Sequence, residues 1–289
     1  MLYELVQSTV SGLLIGAAFA VLSVGFSLTW GVTQVLNIAH AAFALLAAYL
    51  GYFASSYFQV DPVLVLVVIV PLFFVLGVGI HQVLIKITAQ RAHDLALSSM
   101  ILTFGLAVVM ENVMQVLWTP DPRVLKTSYT GKAIFVGPIA IATTHLISFV
   151  LAMLTIALLY VFVHHTLTGK AVRAVWQNPT GAALSGVNMG RVTNITYGIA
   201  VATAGIGGVV MSLIYTFDPS TDMVWLVYIF LVVILGGVGS VLGALLAGLI
   251  IGLTVGISGV FIPLVWVNLV LFLALILLLL LRPSGLLQR

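Results

Sequence analysis

Residues 62–85 read PVLVLVVIVPLFFVLGVGIHQVLI, an apolar run bounded by Asp61 and Lys86. Coiled as a helix at 1.5 Å per residue, such a run reaches about 36 Å, enough to cross the roughly 30 Å hydrocarbon core of a bilayer. Water is absent there, so the backbone must satisfy its own polar groups, which a helix does within itself. Comparable runs recur to either side, at roughly 8–29, 41–58, 95–118, 140–163, 193–215, 224–238, 240–257 and 260–281. The 289 residues are 62% hydrophobic and 6% charged, with a mean hydropathy of +1.29, more apolar surface than a soluble core can hide. Strand alternation of a barrel type does not occur. The pattern predicts an all-α polytopic transmembrane helical bundle of eight or nine membrane helices, with residues 1–289 forming a single transmembrane domain. The polar interruptions, Thr119 to Lys132 and His164 to Arg191, are too short for a soluble domain, so substrate capture or ATP hydrolysis would have to sit on another polypeptide.

Two weak places interrupt the apolar pattern. Thr33, Gln34 and Asn37 fall within Val32 to Ala39, and glycines break the run at Gly236 to Ser240. Each predicts either a discontinuous helix or a re-entrant turn. Orientation follows from the preference of Lys and Arg for cytoplasmic loops. With the C-terminus inside, Lys86, Arg91, Lys170, Arg173, Arg191, Arg282 and Arg289 lie inside, and Arg123, Lys126 and Lys132 lie outside. The expectation is a multi-pass protein of a bacterial inner membrane, N-terminus outside and C-terminus cytoplasmic. Met1 to Val10 lacks the positive start of a signal peptide, so the first run is expected to stay as a membrane helix. The chain has no cysteine, which excludes disulfides and thiolate metal sites, and no basic cluster with aromatics that would suit nucleic acid. The adjacent His164 and His165 would not share a helical face for a metal, and no metal site is expected.

The most informative polar interval is residues 164–192. Asn178 can cap the free N–H groups of a new helix, Pro179 suits its first position, and Gly186 can end it in a left-handed conformation. A short helix over about 179–185 follows, after a helix from Gly169 that must stop before the proline. Ala182, Ala183, Leu184 and Val187 would then present a small apolar surface away from the membrane, suited to a groove on another protein. Spacing alone equally allows a surface loop with two caps.

Gly169, Ala171, Arg173, Ala174, Asn178, Pro179, Ala182 and Gly186 match the pattern G-x-A-x-R-A-x-x-x-(N/D)-P-x-x-A-x-x-x-G. The segment resembles the cytoplasmic coupling segment of ABC importer permeases, in detail that of the branched-chain amino-acid family. Asn37-Ile38-Ala39-His40 resembles an N-x-A-H element after the first span, Leu235 to Ser240 resembles L-G-G-x-G-S, and Arg282 to Leu286 resembles an R-P-x-G-L ending. The matches run the length of the chain in the family's order. Ala41 departs from it, since glycine commonly follows the histidine. The resemblance implies a transport subunit, not an enzyme, with ATPase coupling through Gly169, Arg173, Asn178, Pro179, Ala182, Ala183 and Gly186. It also implies two cytoplasmic ABC ATPases, a second related permease and a periplasmic substrate-binding protein. ATP and Mg would bind on those partners, with no cofactor on this chain.

Substrate-path candidates come from polar or broken positions. Asn37 and His40 sit where a helix breaks, and broken helices offer backbone groups to a zwitterion; a cap with a satisfied histidine is the alternative. Gly236 and Gly237 either line the path or belong to generic packing with Gly239, Gly243, Gly248, Gly252 and Gly256. Glu111 is an acid within a span, roughly 10 Å inward from Trp118 by helical rise, with Asn112 beside it and Gln115 on its face. It either pairs for helix packing or borders the path. Branched-chain or other hydrophobic amino acids lead as substrates, with urea, amides and aromatic acids open. A secondary active transporter working alone is the competing class.

Overall fold

The ends of the apolar runs are set by local chemistry, and the computed structural model, which describes residues 2–281, shows where. Helix α1 covers Leu2–Thr33, α2 His40–Phe58 and α3 Pro62–Ile80; one π-helical turn, His81–Ile85, carries α3 into α4, Lys86–Arg91. Helix α5 is Leu95–Trp118, strands β1 and β2 are Ala133–Val136 and Ile139–Ala142, and α6 is Thr143–His165. Then come α7 (Leu167–Gln177), α8 (Pro179–Leu184), α9 (Met189–Ile214), α10 (Thr221–Gly236), α11 (Val241–Phe261) and α12 (Leu264–Leu281). Polar side chains mark the starts: Asp61 accepts from Val63 N–H at 2.9 Å, Asp94 from Leu97 N–H at 3.1 Å and Asn188 from Arg191 N–H at 3.0 Å.

Among the described residues seven helices are long and apolar enough to cross a membrane, and α10 is a shorter apolar helix. With α12 on the last expected span, the all-α bundle of eight or nine crossings stands. The R-P-x-G-L ending, Arg282 to Leu286, lies outside the described residues.

Helices α1 and α9 form the buried centre. The close approach of α1 to α11 depends on glycine: a Cβ on Gly12 would sit 2.6 Å from the carbonyl oxygen of Gly252, and one on Gly16 2.7 Å from that of Gly248. As α1 advances α11 recedes, so the pair is antiparallel, and the expected helix contact at Gly248, Gly252 and Gly256 is found.

One element departs from expectation. The fifth span was expected from residue 140, but Ile139–Ala142 is the second strand of a hairpin and the helix starts at Thr143. Both strands are apolar and run into an apolar helix, so no hydropathy step marks the join. Gly137, at φ +60°, makes the turn. The Gln7 side chain then pairs with β2 as a strand would: its amide donates to Ala140 O at 2.7 Å and its oxygen accepts from Ala140 N–H at 2.9 Å. Tyr3 donates to Pro138 O at 2.6 Å, so α1 reaches the hairpin instead of starting near residue 8. The hairpin thus defines one end of the bundle, and α7 with α8 defines the other.

Candidate functional site

At the α7–α8 end, Thr166 caps α7 by accepting from Gly169 N–H at 2.9 Å. A Cβ on Gly169 would run into the backbone of Phe162 and Val163, so glycine permits the sharp turn from α6 to α7. Asn178 Oδ1 accepts from Gly181 N–H at 2.8 Å, Pro179 opens α8, and Gly186 takes φ +84° beyond its end. The short helix and the stop at Gln177 therefore form as the caps dictate. Side-chain directions are less uniform. Ala183 and Leu184 face outward, Leu184 with 86% of its surface exposed, whereas Ala182 is buried against the chain itself. The outward apolar face is narrower than the four-residue surface expected from sequence.

Arg173 turns inward too. It lines a cavity of about 110 Å³ with His164, Trp176 and Ser240, and its Nε is buried with no partner among the described residues. Beside it the Trp176 indole lies where a Cβ on Gly239 would be 2.6 Å from the ring and one on Gly31 3.2 Å. Trp176 therefore wedges between the end of α1 and the α10–α11 turn. Its place in the polar interval was visible in sequence; its contacts, with residues 145 and 63 positions away, were not.

The first break is an irregular climb that closes in a turn, where His40 N–H donates to Asn37 O at 3.1 Å. Gln34, at φ +55°, ends α1, and residues 34–39 run back into the bundle until His40 Nε2 donates to Leu22 O at 3.1 Å. Leu22 lies about 16 Å up α1 from Thr33 by helical rise, so α2 begins deep among the helices. Thr103 of α5 holds the segment: its hydroxyl oxygen accepts from Ile38 N–H at 3.0 Å and lies 3.0 Å from Leu36 O. Asn37 is 1% exposed, and among the described residues neither its Nδ2 nor its Oδ1 has a partner; His40 Nδ1 is likewise buried and unpartnered there. Ala41, at the departure from the family's glycine, lies buried in the first turn of α2.

The second break is a closed turn. Gly237 and Gly239 take φ +91° and +82°, and Gly236 packs on the backbone of Gly243. Ser27 of α1 fastens it: Gly239 N–H donates to Ser27 O and Oγ, both at 3.0 Å. Gly236 and Gly237 thus join antiparallel helices at the level of Gly31.

Glu111 accepts from Gln115 Nε2 at 3.1 Å along α5, and Asn112 is exposed, donating to Val108 O at 2.7 Å. Glu111 also has acidic company that sequence reading missed. Asp222, 1% exposed in the first turn of α10, interacts electrostatically with it. Placing that span at 224–238 put Asp222 just outside the membrane, which hid it. No hydrogen bond among the described residues joins these acids to Asn37 or His40: Glu111 pairs with Gln115, and His40 with Leu22.

Comparison with known proteins fits this arrangement. The family model described as branched-chain amino acid transport system / permease component matches residues 8–280. The high-affinity branched-chain amino acid transport system permease protein LivH of Escherichia coli K12 is 25% identical over 297 residues, covering 98% of this chain and 95% of its own. LivH of Salmonella typhimurium LT2 is 25% identical over 294 residues with the same coverage, and BraD of Pseudomonas aeruginosa is 24% identical over 301 residues, covering 100% and 97%. No solved structure matches the chain. With membrane-length helices, a capped knob at one end and a family match over nearly every residue, the chain belongs to the branched-chain amino acid transport system permease family, a multi-pass membrane transport component and not an enzyme.

Proposed function

We propose that this chain is the permease subunit of an ATP-driven importer, forming with a second related permease the path for branched-chain or other hydrophobic amino acids. An external binding protein delivers the substrate to the hairpin end, which faces outward with the N-terminus. Two ATPases, which carry ATP and Mg, grip the α7–α8 knob on the cytoplasmic side.

The observation that carries this reading is the two-sidedness of the knob. Leu184 and Ala183 face away from the chain, while Trp176 on the same short segment is wedged between Gly31 and Gly239. A partner gripping the outer side would move the indole, and the indole touches the end of α1 and the α10–α11 turn together. Coupling of this kind requires the two conformations to differ in their ATPase contacts. Asn37 and His40, at the climb from α1 into α2, supply polar atoms to the path.

The test is reconstitution of the whole importer. Trp176→Ala should leave ATP hydrolysis running while receptor-dependent uptake per ATP falls about tenfold, equal to about 1.4 kcal/mol of coupling. An unchanged ratio of uptake to hydrolysis would remove Trp176 from the coupling route. Uptake by this chain alone, without nucleotide, would make it a secondary transporter instead.

A further inference from the structure

The largest cavity described lies at the hairpin end, about 880 Å³, between the α2–α3 turn and residues 122–128. Its lining carries both signs of charge: Asp61 from the turn, Arg123 and Lys126 from the loop after α5. Asp61 and Arg123 are each placed by something other than an opposite charge. Asp61 Oδ1 accepts from Val63 N–H at 2.9 Å and from the Tyr129 hydroxyl at 3.3 Å, leaving Oδ2 uncommitted among the described residues. Burial and the Asp61 carboxylate push the Tyr129 phenol up to about 12, so it stays protonated and keeps donating.

Arg123 is held by its backbone, which exchanges hydrogen bonds with Phe217 at 2.8 and 3.1 Å, and by a bond to Trp118 O. Its guanidinium lies 5.3 Å from the ring centroids of Tyr52 and Phe53. Neither cation comes within 4.0 Å of a carboxylate among the described residues.

Opposite charges that share a cavity without neutralising one another suit a ligand that brings both charges itself. Val60, Pro62, Pro122 and Val124 add apolar wall between them. We infer that this cavity is a reception site for a zwitterionic amino acid with an apolar side chain, its carboxylate toward Arg123 and Lys126 and its ammonium toward Asp61. The inference rests on the reading above that the chain conducts hydrophobic amino acids, and it adds a place on the permease where released substrate pauses.

The experiment uses the complete importer. ATP-driven, receptor-dependent uptake of L-leucine in proteoliposomes tests the transport reading by itself. Equilibrium binding of radiolabelled L-leucine to the importer in lipid nanodiscs, without receptor, tests the site. Binding should be saturable, and Lys126→Gln and Asp61→Asn should each weaken it about three- to fivefold and together about tenfold, the scale of partly exposed charge interactions. Asp61→Asn keeps the oxygen that caps α3, so the fold is preserved. Competition by 3-methylbutylamine or 4-methylpentanoate, each lacking one charge, should be weaker than by L-leucine to a similar degree. Active transport without saturable leucine binding, or with binding indifferent to both substitutions, overturns the site while leaving the transporter intact. Substitutions that change only receptor stimulation of ATP hydrolysis overturn it as well, and make the cavity a docking surface for the receptor.

Discussion

The two interruptions of the apolar pattern look alike in sequence and are opposite in structure. At residues 236–240 the chain reverses in a tight turn, with two glycines at positive φ and Ser27 taking up Gly239 N–H. At residues 34–39 the chain runs irregularly into the helices and leaves the whole Asn37 amide, and one nitrogen of His40, buried with no partner among the described residues. The first is closed and satisfied, as a structural turn should be. The second stays polar where an apolar residue would cost less, since an unpartnered buried amide forfeits about 1–3 kcal/mol. The difference teaches that a glycine break signals geometry, while a polar break whose side chains find no partner among the described residues is where the proposed path is to be tested.

The sharpest way to break this comparison is Gly239→Leu. A side chain there meets positive φ and the Trp176 ring at once, for a cost of about 3 kcal/mol or more. The expected outcome is loss of folded protein in fluorescence-detected size-exclusion chromatography; normal yield would show that the turn is slack. Asn37→Leu should do the reverse, leaving stability unchanged or raised by about 1 kcal/mol, read as an equal or higher melting temperature, while uptake falls about tenfold. If uptake persists at full rate, Asn37 is an orphan without a role and the contrast fails. Ser27→Ala is the mildest probe, removing one acceptor from the turn for about 1 kcal/mol, visible as a small drop in melting temperature with uptake intact.

What could be read in advance follows the range of the interactions involved. The ends of α8 were legible because Asn178, Pro179 and Gly186 act within a turn of themselves, and the span pattern was legible because lipid imposes it on every residue alike. The family was legible because its motifs recur in order along the chain. Directions of side chains were not: Ala182 faces in and Ala183 out by the pose of α8 on α9, which no local rule supplies. The hairpin at 133–142 was hidden by strands as apolar as the helix that follows them. Trp176, Ser27 and Asp222 gain their meaning from neighbours distant in the chain, so their composition alone could not single them out.

Helix α1 ties these observations into a mechanical statement. At 32 residues it is about 48 Å long by helical rise, with Gln7 and Tyr3 fastened to the hairpin at its head and Gly31 against Trp176 at its foot. A strut anchored at both ends cannot slide without disturbing both. Any purification tag fused ahead of residue 2 therefore loads the head of that strut, and the choice of which terminus to label becomes a choice about whether the movement of α1 is left free or damped.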